Sequence, residues 1–209
     1  RRQRQMCIRD RYTMAYAIIN GVIYTEDEII SNGYLVIEAG KIRAIEKGSY
    51  DGDLEVLDAK GHHILPGFID IHIHGGYGED AMDASYDGLK HLAEQLLSEG
   101  TTSFLATTMT QSQEAIDKAL KNIRTYYEQQ DRENAAEIAG VHLEGPFISE
   151  NKIGAQNPAF IQRPTVALLQ QFQETAKGLI KIVTIAPEVA GATEVIDTLK
   201  DDIIFSMGH

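Results

Sequence analysis

Cysteine is nearly missing from this 209-residue chain, which holds one, Cys7. A single thiol excludes an intrachain disulfide framework and fits a reducing compartment. Positive charge is scarce as well. Nineteen Lys and Arg face 31 Asp and Glu, a formal charge of −12, which argues against a nucleic-acid partner or an anionic membrane surface. No apolar run approaches the ~20 residues that cross a bilayer, and no secretory signal pattern is visible. What remains is ordinary for a globular chain, 43% apolar and 24% charged, and long enough for one or two domains with a sizeable core.

Residues 1–13 do not match the rest. They carry five arginines and one aspartate with no apolar periodicity, whereas Met14 opens a regular pattern. This stretch reads as a non-native scar and is set aside from fold reasoning. Removing its net +4 from −12 leaves −16, and takes the cysteine with it.

Residues 14–65 read as a small β domain. Tyr16-Ala17-Ile18-Ile19 and Val22-Ile23-Tyr24 flank the turn pair Asn20-Gly21. Tyr34–Ile37 and Lys41–Ile45 flank Glu38-Ala39-Gly40, a hairpin signal in which glycine is available for positive φ. Glu55–Asp58 is a further strand. Some fifty residues of short strands are too thin to bury a good core alone.

From Pro66 the period changes. Leu89, Leu92, Ala93, Leu96 and Leu97 share a helical stripe, and Gly100 sits where a C-terminal cap belongs. Ser112 is placed to cap a second helix with the stripe Ile116, Ala119, Leu120, Ile123, Tyr127. Thr165 is placed to cap a third, with Leu168, Leu169, Phe172 and Ala176. Ala192, Val195, Ile196 and Leu199 mark a fourth. Strands begin near 64, 101, 138, 180 and 203 with a helix in each interval. Such alternation means parallel strands with helices outside. No glycine-rich dinucleotide fingerprint follows the first of them, which weakens a Rossmann reading. The expected fold class is therefore α/β, a partial (β/α)8 TIM barrel of about five of the eight β-α units over residues 66–209, preceded by the small β segment. Five-eighths of a barrel would leave an open sheet edge, so the chain is expected to be a fragment of a longer protein.

In such barrels chemistry sits at the C-terminal strand ends. Here those ends are polar. His72 and His74 close the first strand, sharing a face with Asp70 while Ile69, Ile71 and Ile73 form the other, which should seek an apolar layer. Glu144 closes the third strand and His209 the fifth. Imidazole nitrogen and carboxylate oxygen are ligands for zinc, iron or manganese, and no cysteine competes. Spacing alone also fits two histidines paired to carbonyls in a polar core; the joint placement of four candidates at strand ends favours a divalent metal.

Other candidates carry less. His62 and His63 read as solvated loop residues beside Lys60-Gly61, and His91 lies off its helix's apolar stripe. His142 shares the Glu144 face one layer deeper and reads as a hydrogen-bonded support. Lys181 is at the wrong end of its strand to bridge metals. Glu188, after a strand-ending proline, fits either a support or a turn residue. Gly154-Ala155-Gln156-Asn157-Pro158 reads on its own as a plain loop.

Pro66-Gly67-Phe68-Ile69-Asp70-x-His72-x-His74-Gly75 resembles the first-strand motif of the amidohydrolase superfamily. His142-Leu143-Glu144-Gly145-Pro146-Phe147-Ile148, then Lys152-x-Gly154-Ala155-x-Asn157-Pro158, Ala186-Pro187-Glu188 and Gly208-His209, is similar to the N-acetylglucosamine-6-phosphate deacetylase family within it, over about 14–209. The resemblance implies a barrel flanked by a β-sandwich built from both chain ends, and hydrolysis of the acetamide of N-acetylglucosamine 6-phosphate to glucosamine 6-phosphate and acetate. It implies a primary ion on Glu144, His209 and a later histidine, and a second on His72 and His74 bridged through Glu144, hence one or two ions. It assigns substrate contacts to Ala155 and Gln156, the latter often histidine in that family, and places the catalytic aspartate beyond His209. The 209-residue chain alone is accordingly expected to be inactive, and the full-length protein a homodimer. A lysine-bridged amidohydrolase is the rival within the superfamily, but the fourth strand ends Thr184-Ile185-Ala186-Pro187; a non-catalytic barrel scaffold is the rival outside it.

Overall fold

The computed structural model describes residues 15–209, so the expectation for residues 1–13 lies outside the described residues. The chain divides into two compact units, one ending at Pro66 and the other running from Gly67 to His209.

The first unit is all β. Strands β1 (Tyr16–Ile19), β2 (Val22–Tyr24), β3 (Ile29–Ile30), β4 (Gly33–Glu38), β5 (Lys41–Lys47), β6 (Glu55–Asp58) and β7 (His63–Ile64) form two sheets, ordered β5-β4-β1-β6 and β3-β2-β7. Ala39 and Gly40, at φ 50° and 73°, close the β4–β5 hairpin in the two-residue form whose twist suits right-twisted strands. The Asn20-Gly21 turn instead passes the chain from one sheet to the other. Ile23, Ile30 and Leu35 are the buried core, with Ile18 and Ile64 packed on it. Three such side chains contribute about 1.5–3 kcal/mol each, against an ordering cost of about 1–2 kcal/mol per residue. That core cannot carry fifty residues by itself. His63 sits in β7, with its ring 5.4 Å from that of Tyr24, which corrects the loop reading while leaving it exposed.

The second unit is a parallel sheet with helices on one face. Its strands are β8 (Phe68–Ile73), β11 (Thr101–Thr107), β12 (Glu137–Glu144), β13 (Ile180–Ile185) and β14 (Ile204–Met207), in the order β14-β13-β12-β11-β8. Between β8 and β11 lies a small ribbon, β9 (Gly75–Gly76) and β10 (Glu79–Asp80). All neighbouring pairs of the five-stranded sheet are parallel. The connecting helices are α1 (Tyr86–Leu96), α2 (Gln113–Gln129), α3 (Val166–Thr175) and α4 (Ala192–Leu199). This is the wall of a partial barrel, five strands joined by four helices. The first barrel strand starts at Phe68 and not near residue 64, because Leu65-Pro66-Gly67 ends the β7 pairing before the new strand begins.

Local chemistry sets the helix ends. The Ser85, Ser112 and Thr165 side chains accept from the backbone N–H groups of Gly88, Ala115 and Leu168 at 3.0, 3.2 and 3.2 Å, satisfying donors the first turn leaves open. Gly100, at φ 83°, closes the α1 segment. The stripes Leu89, Leu92, Leu96; Ile116, Leu120, Ile123; and Leu169, Phe172 pack on Phe104, Ile138, Leu143 and Val183 of the sheet. Tyr126 is fully buried on the α2 stripe and Tyr127 packs half-buried on the same core, since a 3.6-residue period places both near its edge. Leu97 falls in a 3-10 turn and is exposed.

Two glutamines lock the sheet's lower rim. Gln130 accepts from the Ile138 N–H at 2.8 Å and donates to its carbonyl at 3.2 Å. Gln173 does the same to Ile180 at 2.9 and 3.0 Å. Each amide pairs both backbone groups of a residue that opens a buried strand.

One expectation fails at the edge. Ile69 and Ile71 are 68% and 56% exposed, and only Ile73 packs on the core. β8 is an outer strand of the sheet, and no helix among the described residues lies on that part of its outer face.

Candidate metal centre

The sheet face away from the helices carries Thr107, His142, Glu144 and Thr184 on its central strands. Alternation along β12 turns Leu143 outward to the core and Glu144 inward at the strand's C-terminal end. Glu144 is 4% exposed, and a buried carboxylate needs partners. Three histidines provide them. His74 Nε2 lies 2.8 Å from Glu144 Oε2, and His72 Nε2 lies 3.7 Å from the same oxygen. His209 Nε2 lies 2.7 Å from the other oxygen, Oε1. The ligand atoms of His72, His74 and Glu144 all fall within 4.8 Å of one another.

The far nitrogens of two of these rings are fixed by carbonyls. His74 Nδ1 is 3.3 Å from the Thr107 carbonyl, and His209 Nδ1 is 3.2 Å from that of Lys152. A carbonyl only accepts, so Nδ1 holds the proton in each neutral ring and the Nε2 lone pair faces Glu144. That tautomer is the one a metal-ligating histidine adopts. The hydrogen bond to Glu144 raises the pKa of His74 above the ordinary imidazole value, against the opposing effect of burial. Burial works to raise that of Glu144, but the hydrogen bond to His74 and the charges of His74, His72 and His209 outweigh it and hold it below the usual carboxylate range. The pocket favours an anion at Glu144 and positive charge around it.

His142 behaves as a support. Its Nδ1 donates to the Ile71 carbonyl at 2.8 Å, and the Thr184 hydroxyl donates to its Nε2 at 2.8 Å. Burial depresses its pKa below the ordinary imidazole value. Its Nδ1 is also 3.3 Å from that of His72, and the two rings meet edge to face. Lys181 points away, donating to the Gly178 carbonyl at 3.1 Å. Glu188 is exposed in the turn after β13, and His62 and His91 are exposed.

The residues 145–157 arch beside this centre. Gly145, at φ 67°, runs so close to Thr110 that a Cβ would overlap its hydroxyl. The Ser149 N–H donates to the His209 carbonyl at 2.7 Å. Ala155 is exposed, whereas Gln156 is 5% exposed and accepts from the Thr110 N–H at 2.8 Å. The sequence did not point to Thr107, Lys152, Ile71 or Thr110, because they act through backbone atoms that every residue possesses.

The donor set fits a divalent cation on its chemistry: imidazole nitrogens with open lone pairs and one carboxylate whose two oxygens face different histidines.

The Amidohydrolase family matches residues 63–200. The N-acetylglucosamine-6-phosphate deacetylase of Bacillus subtilis (strain 168) is 47% identical over 191 residues, covering 90% of this chain and 48% of the relative. The structure of the corresponding deacetylase from Pasteurella multocida superposes with a TM-score of 0.82 at 31% identity, covering 93% of this chain and 51% of that one. A mutant of the Mycobacterium smegmatis enzyme in complex with N-acetyl-D-glucosamine-6-phosphate superposes with a TM-score of 0.80 at 26% identity, covering 94% and 49%. The chain spans about half the length of the curated relatives it matches.

Proposed function

The chain belongs to the amidohydrolase family, and from that premise we propose that it is part of a metal-dependent deacetylase that hydrolyses N-acetylglucosamine 6-phosphate to glucosamine 6-phosphate and acetate. The observation that carries the chemistry is Glu144, whose two oxygens face His74 and His209 separately at 2.8 and 2.7 Å. The 47% identical deacetylase supports the choice of substrate.

In this reading Glu144 and His209, with a later histidine of the full-length protein, would hold the primary ion, and His72 and His74 together with Glu144 would hold a second. A divalent ion bound there supplies Lewis acidity, lowering the pKa of water from about 15.7 towards about 7 and polarising a carbonyl. Zinc, iron and manganese all suit this nitrogen and oxygen donor set. The chain's own residues do the rest by placement. Thr107 and Lys152 hold their histidines in the ligating tautomer, and His142 fixes the rear of the site. Contact with the sugar is assigned to Ala155 and Gln156 of the arch by the family resemblance. In the reaction the acetamide C–N bond breaks, the water oxygen joins the acetyl carbon, and the departing nitrogen gains a proton. That proton transfer is assigned to an aspartate beyond His209 in the full-length protein, which works in the cytoplasm as a homodimer. No helix among the described residues is long and apolar enough to cross a membrane.

The test is acetate release. The full-length protein, loaded with zinc or manganese, should deacetylate N-acetylglucosamine 6-phosphate, and Glu144→Ala should abolish it. The 209-residue chain should release none above a metal blank. Turnover undiminished in Glu144→Ala would refute the reading.

A further inference from the structure

We propose that Gln156 is a positioning residue for the His209 side of the centre, acting through the arch of residues 145–157. The inference rests on the reading that Glu144 and His209 hold an ion, and it goes beyond any contact of Gln156 with substrate.

The arch leaves the sheet at Glu144 and touches the fifth strand end in three places. Ser149 N–H donates to the His209 carbonyl at 2.7 Å. His209 Nδ1 donates to the Lys152 carbonyl at 3.2 Å. Gly154, at φ 58°, lies against the imidazole, where an added Cβ would stand 3.3 Å from Cε1. The Lys152 carbonyl decides which His209 nitrogen is free to ligate, so its position matters for the metal.

Two bonds attach the outgoing limb of the arch to the barrel, Ser149 N–H to the His209 carbonyl at 2.7 Å and Ala186 N–H to the Phe147 carbonyl at 2.9 Å; past Ser149 little else holds the limb that carries the Lys152 carbonyl. Glu150, Asn151, Lys152, Gly154, Ala155 and Asn157 are all exposed, and their short-range bonds, Lys152 N to Ser149 O and Gln156 N to Ile153 O, shape the turn without attaching it to the barrel. Gln156 is the exception. Its side chain is buried and its Oε1 accepts from the buried Thr110 N–H at 2.8 Å, across 46 positions of sequence. Thr110 lies just beyond β11, so this bond ties the returning limb of the arch to a neighbouring strand end. Without the acceptor, the Thr110 N–H would be buried and unpaired unless the arch opened to water. Opening would draw the Lys152 carbonyl off His209. The bond therefore links a residue that is no metal ligand to the tautomer of one that is.

Cobalt(II) titration of the full chain, followed by its visible absorption, reads the effect without turnover. Gln156→Leu removes the acceptor; Gln156→Asn keeps an amide but is one methylene too short to reach. Both should weaken Co2+ binding about tenfold, within the range seen when a ligand's supporting partner is lost, and alter the band shape. Gln156→Glu retains an acceptor and should stay within about twofold of the parent. In the metal-free chain, trypsin should cut after Lys152 several-fold faster in the Leu and Asn variants. Co2+ binding equal to the parent in both variants would overturn the inference, as would unchanged cleavage at Lys152. A parent chain that takes up no Co2+ would instead refute the metal reading on which the inference rests.

Discussion

Glu144 Oε1 and His209 Nε2 stand 2.7 Å apart while the other nitrogen of that ring faces the Lys152 carbonyl. With Nδ1 protonated, two lone pairs would meet across the short distance unless positive charge lay between or beside them. His74 repeats the arrangement on Oε2, its Nδ1 turned to the Thr107 carbonyl. A cation on either side of the carboxylate, one facing His74 and one facing His209, would supply that charge. In water that attraction would be weak; at a buried Glu144 the local dielectric strengthens it several-fold. The sheet has brought its first and fifth strand ends to one carboxylate on its third.

The buried phenol of Tyr126 gives a pH-dependent prediction. Its hydroxyl has no hydrogen-bond partner among the described residues, and burial, then the neighbouring Tyr86, push its pKa up to about 12. The unfolded chain loses that proton near pH 10 and the folded one later, so this group's contribution is intact below pH 10 and is lost as pH rises towards about 12. Tyr126→Phe should match or exceed the parent by up to about 1 kcal/mol at pH 8 in urea melts. Its advantage should widen between pH 10 and 12. A constant difference across that window would contradict the assignment.

The glutamine locks should be worth more than surface polar contacts. Gln173→Leu leaves both backbone groups of Ile180 without their side-chain partner, and Gln130→Leu does the same at Ile138. Each should cost about 1–3 kcal/mol in equilibrium unfolding. A loss within about 0.5 kcal/mol for both would show that other groups serve those strand starts.

The exposed isoleucines of β8 should make this chain self-associate. Ile69 and Ile71 lie on an outer strand, where apolar surface and open backbone groups together promote pairing between chains. Light scattering should show Ile69→Thr/Ile71→Thr to be markedly less associated than the parent at equal concentration. Equal association would place the sticky surface elsewhere.

The sequence revealed the barrel's rhythm because a buried parallel strand and an amphipathic helix have different periods. Leu89, Leu92 and Leu96, or Ile116, Leu120 and Ile123, admit one packing face. Edges were less legible: an isoleucine run reads the same whether or not a layer covers it, and Tyr126 and Tyr127 differ by a rotation that only packing decides. The four ionisable members of the site were legible because His-x-His, a strand-ending Glu and a strand-ending His are rare types in repeated positions. The carbonyls of Thr107, Lys152 and Ile71 were not, since backbone atoms leave no compositional trace. The sharing of Glu144 came from the family resemblance alone, since residue spacing does not carry the register between strands far apart in sequence.

In the full-length protein, where the resemblance places a further histidine ligand, His72→Ala/His74→Ala should leave the Glu144–His209 side able to hold one ion and remove the other. Metal content after dialysis should fall from two per chain to one, with His209→Ala removing the remaining ion in the triple variant. A parent chain that holds a single ion, lost in His72→Ala/His74→Ala, would instead centre the chemistry on the first strand.

The most direct measurement is the metal content of Glu144→Gln after equilibrium dialysis against a zinc or cobalt buffer, beside that of the parent. The amide keeps the size of the carboxylate but removes its charge and one acceptor oxygen. Both proposed ion positions include Glu144, so the parent should retain metal and the variant should lose it, with an affinity loss of at least about 100-fold given that even supporting residues cost about 10–100-fold. Unchanged metal content in Glu144→Gln would contradict the account.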